Sequence, residues 1–317
     1  MTGSATRTTA APAGDIRTDY RYRFIDTATQ AYIIVVGVLI LLFHNSRVPH
    51  FQMLLALHGV AVLTIHALIR SRARFPKNRG LSFFRHFYPL LLYAFMYKEC
   101  DWLNLMFVDR YLDPFFIRLE ETLFGFQPAV VFMATWSHPL VSEFFYMSYF
   151  TYYLMIAGVG LALFFRNRPG FWHFVAGLSF VLYTCFLVFI FLPVAGPPAF
   201  YLEIPRFVDQ HLLTYYPLEF PSQVTQGPFF RLMGFIYRHF ESGGAAFPSS
   251  HVAVALCTLF FSWRYLPKIR FLHLAGVIAL SVSTVYCRYH YAVDVIAGAA
   301  VAAVLVPLGE RLYRRRP

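Results

Sequence analysis

Eight runs of apolar residues, each close to the length of a membrane-spanning helix, most strongly constrain the fold of this 317-residue chain. A helix that crosses a bilayer needs about 20 mostly apolar residues. Charged residues make up only 14% of the chain, whereas a soluble domain has about 25%. The sequence therefore predicts an all-α, polytopic membrane bundle of about eight spans. The runs are residues 29–46, 51–69, 86–107, 139–165, 171–193, 250–266, 270–287 and 291–311.

These runs divide the chain into tails, an N-terminal hairpin and a core of six helices. Lys98, Glu99 and Asp101 interrupt the third run, which makes it the weakest of the eight. The expected parts are a cytoplasmic tail (1–28), a transmembrane hairpin (29–85), a six-helix catalytic core (86–312) and a basic tail (313–317).

The basic residues predict the orientation of the bundle. With eight spans, both termini lie on one side, and that side holds 19 of the 27 Lys and Arg residues. Because cytoplasmic loops of membrane proteins are rich in Lys and Arg, we expect both termini in the cytoplasm. Two long segments, residues 108–138 and 194–249, then lie on the extracytoplasmic face. Any active site belongs on that face.

Charge and cysteine usage exclude several functions. The net charge of +11 is spread over separate short loops, which suits anionic lipid headgroups and argues against nucleic-acid binding. The four cysteines have no CxxC spacing, which argues against a disulfide framework or a thiolate metal site. The scattered histidines lack paired ligand spacing, so a heme or copper protein is also disfavoured.

The segment 108–138 mixes charges with Phe and Leu at helical spacing. This pattern predicts a helix lying in the membrane interface. It fits a connector packed on the bundle as well as an element that controls lipid entry.

The stretch "GGAAFPSSHV", residues 243–252, ends where an apolar helix begins. A serine at that position is a common helix cap. A helix start also binds phosphate through its free N–H groups and its dipole, and glycine lets the backbone approach an anion. We therefore take Gly244, Ser249 and Ser250 as candidate phosphate-binding residues, and His251 as a candidate proton donor.

The stretch "VYCRYHYAVDVIAG", residues 285–298, carries the second candidate cluster. On a helix, His290 and Asp294 share one face, so the carboxylate can fix the imidazole tautomer and leave the other nitrogen as a nucleophile or base. Arg288 offers a planar donor suited to phosphate oxygens. Such residues at a membrane helix end favour a functional role, although a salt-bridged helix cap would also explain them.

Both motifs fall on the same side of the predicted bundle. Two histidines, several arginines and a helix N-terminus, without an acidic metal cluster, indicate phosphoryl transfer through a phosphohistidine. The sequence predicts neither a metal nor another cofactor.

Together, "FPSSH" and "RYHYAVD" resemble the membrane type 2 phosphatidic acid phosphatases, whose wider group includes sphingolipid phosphotransferases. The resemblance covers about residues 86–312. It implies that His290 is the nucleophile, that Asp294 orients it and that His251 is the acid for the leaving group. It also implies that Ser249 binds phosphate and that no metal takes part.

The chain departs from the family pattern at three places. Ser250 stands where the pattern has glycine, and Ser283-Thr284 stands where it has Ser-Arg. Arg288 is a candidate to supply the missing charge. The earlier motif, a Lys followed six residues later by Arg-Pro, has no match on the outer face. The candidates to replace it are Arg206, Arg231 and Arg238.

The sequence thus predicts an integral-membrane lipid phosphatase that acts on lipid phosphate esters through a phosphohistidine intermediate at the outer membrane face. The looser early motif keeps open a phosphotransferase that moves a phospho-headgroup to a lipid or polyol alcohol. A transporter or lipid-binding protein that has lost catalysis is a further alternative. The expected partners are lipid phosphates and membrane lipids, and the sequence does not specify the oligomeric state.

Overall fold

The computed structural model describes residues 22–197, 220–240 and 242–315. Its regular elements in these ranges are helices. They are α1 (Phe24–Phe43), α2 (Phe51–Arg74), α3 (Arg79–Leu103), α4 (Asp113–Phe124), α5 (Pro128–Thr135), α6 (Pro139–Arg166), α7 (Arg168–Phe191), α8 (Ser222–Thr225), α9 (Pro228–Phe240), α10 (Ser250–Tyr265), α11 (Arg270–Tyr286) and α12 (Ala292–Arg315).

Each of the eight apolar runs forms a helix, which confirms the prediction of an all-α polytopic bundle. Within the described ranges, five helices have the length and apolar composition to cross a membrane: α1, α2, α6, α7 and α12. The helices α10 and α11 have 16 and 17 residues, slightly fewer than the usual span. The helix α3 has 25 residues but carries charges towards its end.

The helix α7 lies at the centre of the bundle. It packs against α1, α3, α6, α10 and α12. Buried apolar side chains, such as Phe174 and Phe189, lie on all faces of α7, which is the pattern of a helix enclosed by others. The other long helices surround α7 and present part of their apolar surface outward, as membrane helices do.

The segment 108–138 was predicted to form one helix in the interface, and this was wrong in detail. It forms two short helices, α4 and α5, because Gly125 ends α4 in the left-handed conformation with φ of 74°. Phe116 and Ile117 of α4 are buried against the start of α12. This burial is that of a connector packed on the bundle.

A buried ion pair attaches the N-terminal helix α1 to α3. The Arg85 Nη1 donates to Asp26 Oδ1 over 2.7 Å, and Tyr88 donates to the same oxygen over 2.7 Å. The Arg23 N–H donates to the other carboxylate oxygen of Asp26. Both Asp26 and Arg85 are fully buried. The attachment of α1 therefore depends on a buried ion pair in which each charge stabilises the other.

We predict that Arg85→Met destabilises the protein by about 3–5 kcal/mol, because the variant leaves Asp26 buried without its counter-charge. Thermal unfolding in detergent measures this loss. The matched control is Arg110→Met, which removes an exposed arginine paired with Asp109 and should change little. Equal effects of the two substitutions would contradict the assignment.

Candidate active site

The first motif forms a capped helix start at one end of the bundle. Ser249 is the N-cap of α10, and its hydroxyl accepts a hydrogen bond from the Val252 N–H over 3.4 Å. Ser250 and His251 follow in the first turn. This arrangement satisfies one of the N–H groups that every helix leaves free at its start.

The second motif contacts the first one directly. The Ser249 N–H donates to the Asp294 carbonyl over 3.0 Å. The starts of α10 and α12 approach so closely that a Cβ at Gly298 would collide with the Ser249 carbonyl. Glycine at 298 therefore allows the two motifs to lie side by side. We call the end of the bundle that contains Ser249, His251, His290 and Asp294 the site end.

The chain between α11 and α12 turns through a helix C-cap that presents His290. Arg288 has φ of 62°, and the Tyr289 N–H donates to the Thr284 carbonyl over 3.0 Å while the Arg288 N–H donates to Val285. These are the bonds of a Schellman motif, with Arg288 at the position where glycine is usual. Left-handed backbone costs a residue other than glycine roughly 1–2 kcal/mol. The His290 N–H also donates to the Thr284 carbonyl.

His290 lies between a carboxylate and the second histidine. Its Nδ1 is 3.4 Å from Asp294 Oδ2, and its Nε2 is 3.3 Å from His251 Nδ1. The same Asp294 oxygen accepts from the Tyr291 N–H over 2.9 Å. The carboxylate thereby favours the tautomer with a proton on Nδ1, which leaves the lone pair of His290 Nε2 directed at His251.

Aromatic rings surround His251. The Tyr149 hydroxyl is 3.0 Å from His251 Nε2. The ring centres of Tyr149 and Tyr152 lie 4.9 and 4.4 Å, respectively, from the centre of the His251 imidazole. His251 is 6% exposed and His290 is 3% exposed. The two histidines line a narrow cleft together with Tyr237. Water therefore has little access to either imidazole.

A third segment, which follows α7, completes the site end. The Val194 N–H donates to the Gly244 carbonyl over 3.2 Å, and the Ala246 N–H donates to Val194 over 2.8 Å. These bonds fix the loop before α10 against the chain that leaves α7. Ala195 of this segment lines the cleft between the histidines.

Asp113 of α4 holds the same segment from behind. Its carboxylate accepts from the N–H groups of Ala195 and Gly196, each over 2.8 Å, and from the Tyr291 hydroxyl over 2.9 Å. One buried carboxylate thus links the segment after α7 to the residue that follows His290. Burial raises the pKa of Asp113 to about 6.

Glu120, two turns further along α4, caps the start of α12. Its Oε1 accepts from the N–H groups of Ala292 and Val293. Burial, with a smaller contribution from Asp294, raises the pKa of Glu120 to about 8. The sequence analysis did not predict a role for Asp113, Glu120 or Tyr149. The only local signal is an acidic residue before proline at a helix start in "LDPFF".

The glycine pair has a packing role in the structure, in addition to the phosphate binding that was predicted for Gly244. Gly244 has φ of 78°, and a Cβ there would collide with the side chain of Asn104. A Cβ at Gly243 would lie 2.8 Å from Asp101 Oδ1. The Asn104 Nδ2 donates to the Gly243 carbonyl over 2.7 Å. Close packing against the end of α3 therefore accounts for both glycines.

The candidate arginines occupy different surroundings. Arg288 is fully buried, with its guanidinium 5.1 Å from the ring centre of Phe220. Arg231 and Arg238 lie on the exposed face of α9, and Arg238 Nε donates to the Gly234 carbonyl. Arg206 lies outside the described residues. Within the described ranges, no group of three His, Cys, Asp or Glu side chains has an arrangement that could hold a metal ion.

We predict that Glu120→Gln removes a pH-dependent loss of stability. The raised pKa means that this carboxyl stabilises the fold below pH 4.5, and that the contribution falls as the pH rises through 8. Because the pKa of Asp113 is about 6, the contribution of Asp113 changes little from pH 6 to 8. The difference in stability between Glu120→Gln and the wild type should therefore follow Glu120 in this window, with a slope of about 1.4 kcal/mol per pH unit. The amide keeps the acceptor oxygen but carries no charge.

Thermal unfolding at pH 6, 7 and 8 measures this effect. The variant should gain stability relative to the wild type as the pH rises. The control Asp109→Asn changes an exposed acid whose pKa Arg110 lowers, so it should show no trend in this window. A constant difference between Glu120→Gln and the wild type across the series would contradict the assignment.

The comparisons with known proteins identify the family. A sequence model of the PAP2 superfamily matches residues 114–308, which is more than half of the chain. No curated protein and no solved structure matches. The matched range contains both motifs, the helices from α5 to α11, all of α4 except Asp113 and most of α12. The chain is therefore a membrane protein of the PAP2 (type 2 phosphatidic acid phosphatase) superfamily.

Proposed function

We propose that this protein is a lipid phosphatase that hydrolyses lipid phosphate esters through a phosphohistidine on His290. One observation carries the proposal: the two imidazoles meet through His290 Nε2 and His251 Nδ1 at 3.3 Å, while Asp294 lies 3.4 Å from the opposite nitrogen of His290. A nucleophile, a group that orients it and a proton donor are thereby within reach of one phosphorus atom.

The first step transfers the phosphoryl group to the enzyme. The lone pair of His290 Nε2 attacks phosphorus, and the bond from phosphorus to the ester oxygen breaks. The leaving oxygen takes a proton from His251. Asp294 stabilises the positive charge that develops on His290, as the carboxylate partner of a catalytic histidine does.

The second step releases the phosphoryl group from His290. His251, now unprotonated, takes a proton from water as the water oxygen attacks phosphorus. The bond from phosphorus to His290 Nε2 breaks, and inorganic phosphate leaves. Both imidazoles then have the protonation with which they began.

The start of α10 supports the phosphate-binding part of the proposal. Its N–H groups and dipole favour an anion beside Ser249, Ser250 and His251. Arg288 is the described arginine nearest in sequence to the nucleophile, and its left-handed backbone is a cost that a functional role would explain. Arg206, Arg231 and Arg238, which all belong to the segment 194–249, stay as candidate phosphate ligands.

We also place the site on the extracytoplasmic face, with both termini in the cytoplasm. The support is the distribution of 19 of the 27 basic residues on the opposite side. The substrate would then be a lipid phosphate of the outer leaflet.

A lipid or polyol alcohol is the second candidate acceptor. The burial of both histidines favours it, because an active site closed to water limits hydrolysis of a phosphoenzyme. Addition of an alcohol acceptor separates the two candidates. With a substrate labelled at phosphorus, hydrolysis yields labelled inorganic phosphate whether or not the alcohol is present. Transfer instead places the label in a new phosphodiester or monoester of the alcohol.

We predict that the two histidine variants respond differently to the leaving group. His290→Gln should lower the rate at least 10⁴-fold for every ester, because it removes the nucleophile. His251→Gln should lower the first turnover about 10²–10⁴-fold for an alkyl phosphate but much less for p-nitrophenyl phosphate, whose leaving group needs no proton. Rapid-mixing measurement of alcohol or nitrophenol release tests this.

The control for these variants is His66→Gln, on α2, whose ring contacts Tyr22 outside the site. It should keep the rates of the wild type with both esters. An equal loss for both esters in His251→Gln would contradict the role of His251 as the acid.

We predict that Asp113→Asn lowers kcat about 10-fold and leaves KM within twofold. The amide breaks the set of three hydrogen bonds that positions Tyr291 and the cleft residue Ala195, but it does not contact substrate. Asp113→Glu should not restore the kcat of the wild type, because the longer side chain misplaces the acceptor oxygens. Steady-state kinetics measure both constants, with Asp109→Asn as the control. A rise in KM with an unchanged kcat would contradict this positioning role.

A further inference from the structure

An apolar cavity of about 500 Å³ begins at Ser250 and His251. It runs between α3 and α6, which both pack against α7. Side chains of α7 form its floor, and Ile236 and Phe240 of α9 cover it near the site end. The residues of α7 that line it are Leu182 and Phe186, and its other walls include Tyr93, Tyr97, Tyr152 and Ile156.

The long dimension of the cavity follows the helices. On α3 its lining extends from Lys98, near the site end, to Leu90. Eight residues of helix correspond to about 12 Å. The hydrocarbon of one leaflet is about 15 Å thick, half of about 30 Å. The cavity therefore has the depth and direction of one lipid chain whose headgroup lies at the histidines.

The volume fits one chain and not two. A water molecule occupies about 30 Å³ in the liquid, and a methylene group is of similar size. A cavity of 500 Å³ therefore holds about 16 methylene groups. A second chain of the same lipid would stay in the bilayer.

One wall of this cavity comes from outside the family-matched range. The match begins at residue 114, whereas the lining residues Leu90, Tyr93, Ala94, Tyr97 and Lys98 belong to α3. The α3 wall is therefore outside the matched core, and it lines the cavity from Lys98 to Leu90. A substitution on this wall can change the room for a chain without changing either histidine.

We propose that this cavity holds one acyl chain of the lipid phosphate, with an optimum near 16 carbons, and that α3 sets this length. The inference rests on the proposed function, because the chain enters the cavity while its phosphate lies between His251 and His290. A chain that leaves the bilayer for an apolar cavity gains little from the hydrophobic effect. Selection therefore depends on length and fit.

The first test is kinetic and uses Ala94→Trp. The substrates are single-chain alkyl phosphates of 4–20 carbons in detergent, with kcat/KM as the readout. The wild type should prefer about 16 carbons. An indole at position 94 displaces about four methylene groups, so the optimum should move to about 12 carbons and the rate with 16 carbons should fall about 10-fold. Butyl phosphate should react within twofold of the wild-type rate.

The matched control is Leu91→Trp. Leu91 and Ala94 are both exposed on α3, but Leu91 does not line the cavity. It should keep the wild-type length profile. An unchanged profile in Ala94→Trp, or the same change in Leu91→Trp, would overturn the proposal.

The second test measures binding without turnover, so it separates this proposal from the proposed function. In Ala94→Cys, hexadecyl phosphonate should slow maleimide labelling of the new thiol at least fivefold, and butyl phosphonate should not. Labelling of Leu91→Cys should not change, and the four native cysteines are buried. Protection without turnover would overturn the proposed function alone. Turnover of alkyl phosphates without protection would overturn the cavity proposal alone.

Discussion

The hydrogen bond from the Ser249 N–H to the Asp294 carbonyl joins the two motifs, and the geometry of the site depends on it. Ser249 begins the helix that carries His251, and Asp294 lies on the helix that follows His290. The close approach at Gly298 is the second requirement, because any side chain there would separate the two helix starts. With both conditions met, residues 39 positions apart place their ring nitrogens 3.3 Å apart.

The helix α4 supports this junction from outside. Asp113 and Glu120 lie on the same face of α4, and their carboxylates bind five hydrogen-bond donors of the site end. Buried carboxylates are costly unless they are hydrogen-bonded, and four of these five donors are backbone N–H groups. The segment that the sequence indicated as an interfacial helix thus supports the candidate catalytic residues.

The sequence was sufficient for the bundle and for the two motifs. The apolar runs predicted all eight long helices because a membrane helix must be apolar over its whole length. The motif spacing placed His290 and Asp294 on one face because the helical period fixes that relation. The predicted topology placed both motifs on one side of the bundle, and the structure shows the approach of His290 to His251 as a distance.

The remaining features depend on tertiary contacts. Nothing local in the sequence shows that Asn104 and Asp101 require glycines at 243 and 244, or that Asp113 reaches Tyr291, 178 residues away. The structure adds a second feature of Arg288, its backbone conformation, which the sequence could not show. Its charge suggested phosphate binding, and the structure adds that it occupies a left-handed position in a helix C-cap.

The central claim is that His290 Nε2 becomes phosphorylated during turnover. The direct measurement is rapid alkaline quenching of the enzyme with a ³²P-labelled lipid phosphate, followed by digestion and mass spectrometry of the peptide that contains His290. The account predicts an acid-labile, alkali-stable phosphate on His290 that forms and decays at the rate of turnover, and that is absent in His290→Gln. Label on another residue, or turnover in the variant without His290, would contradict it.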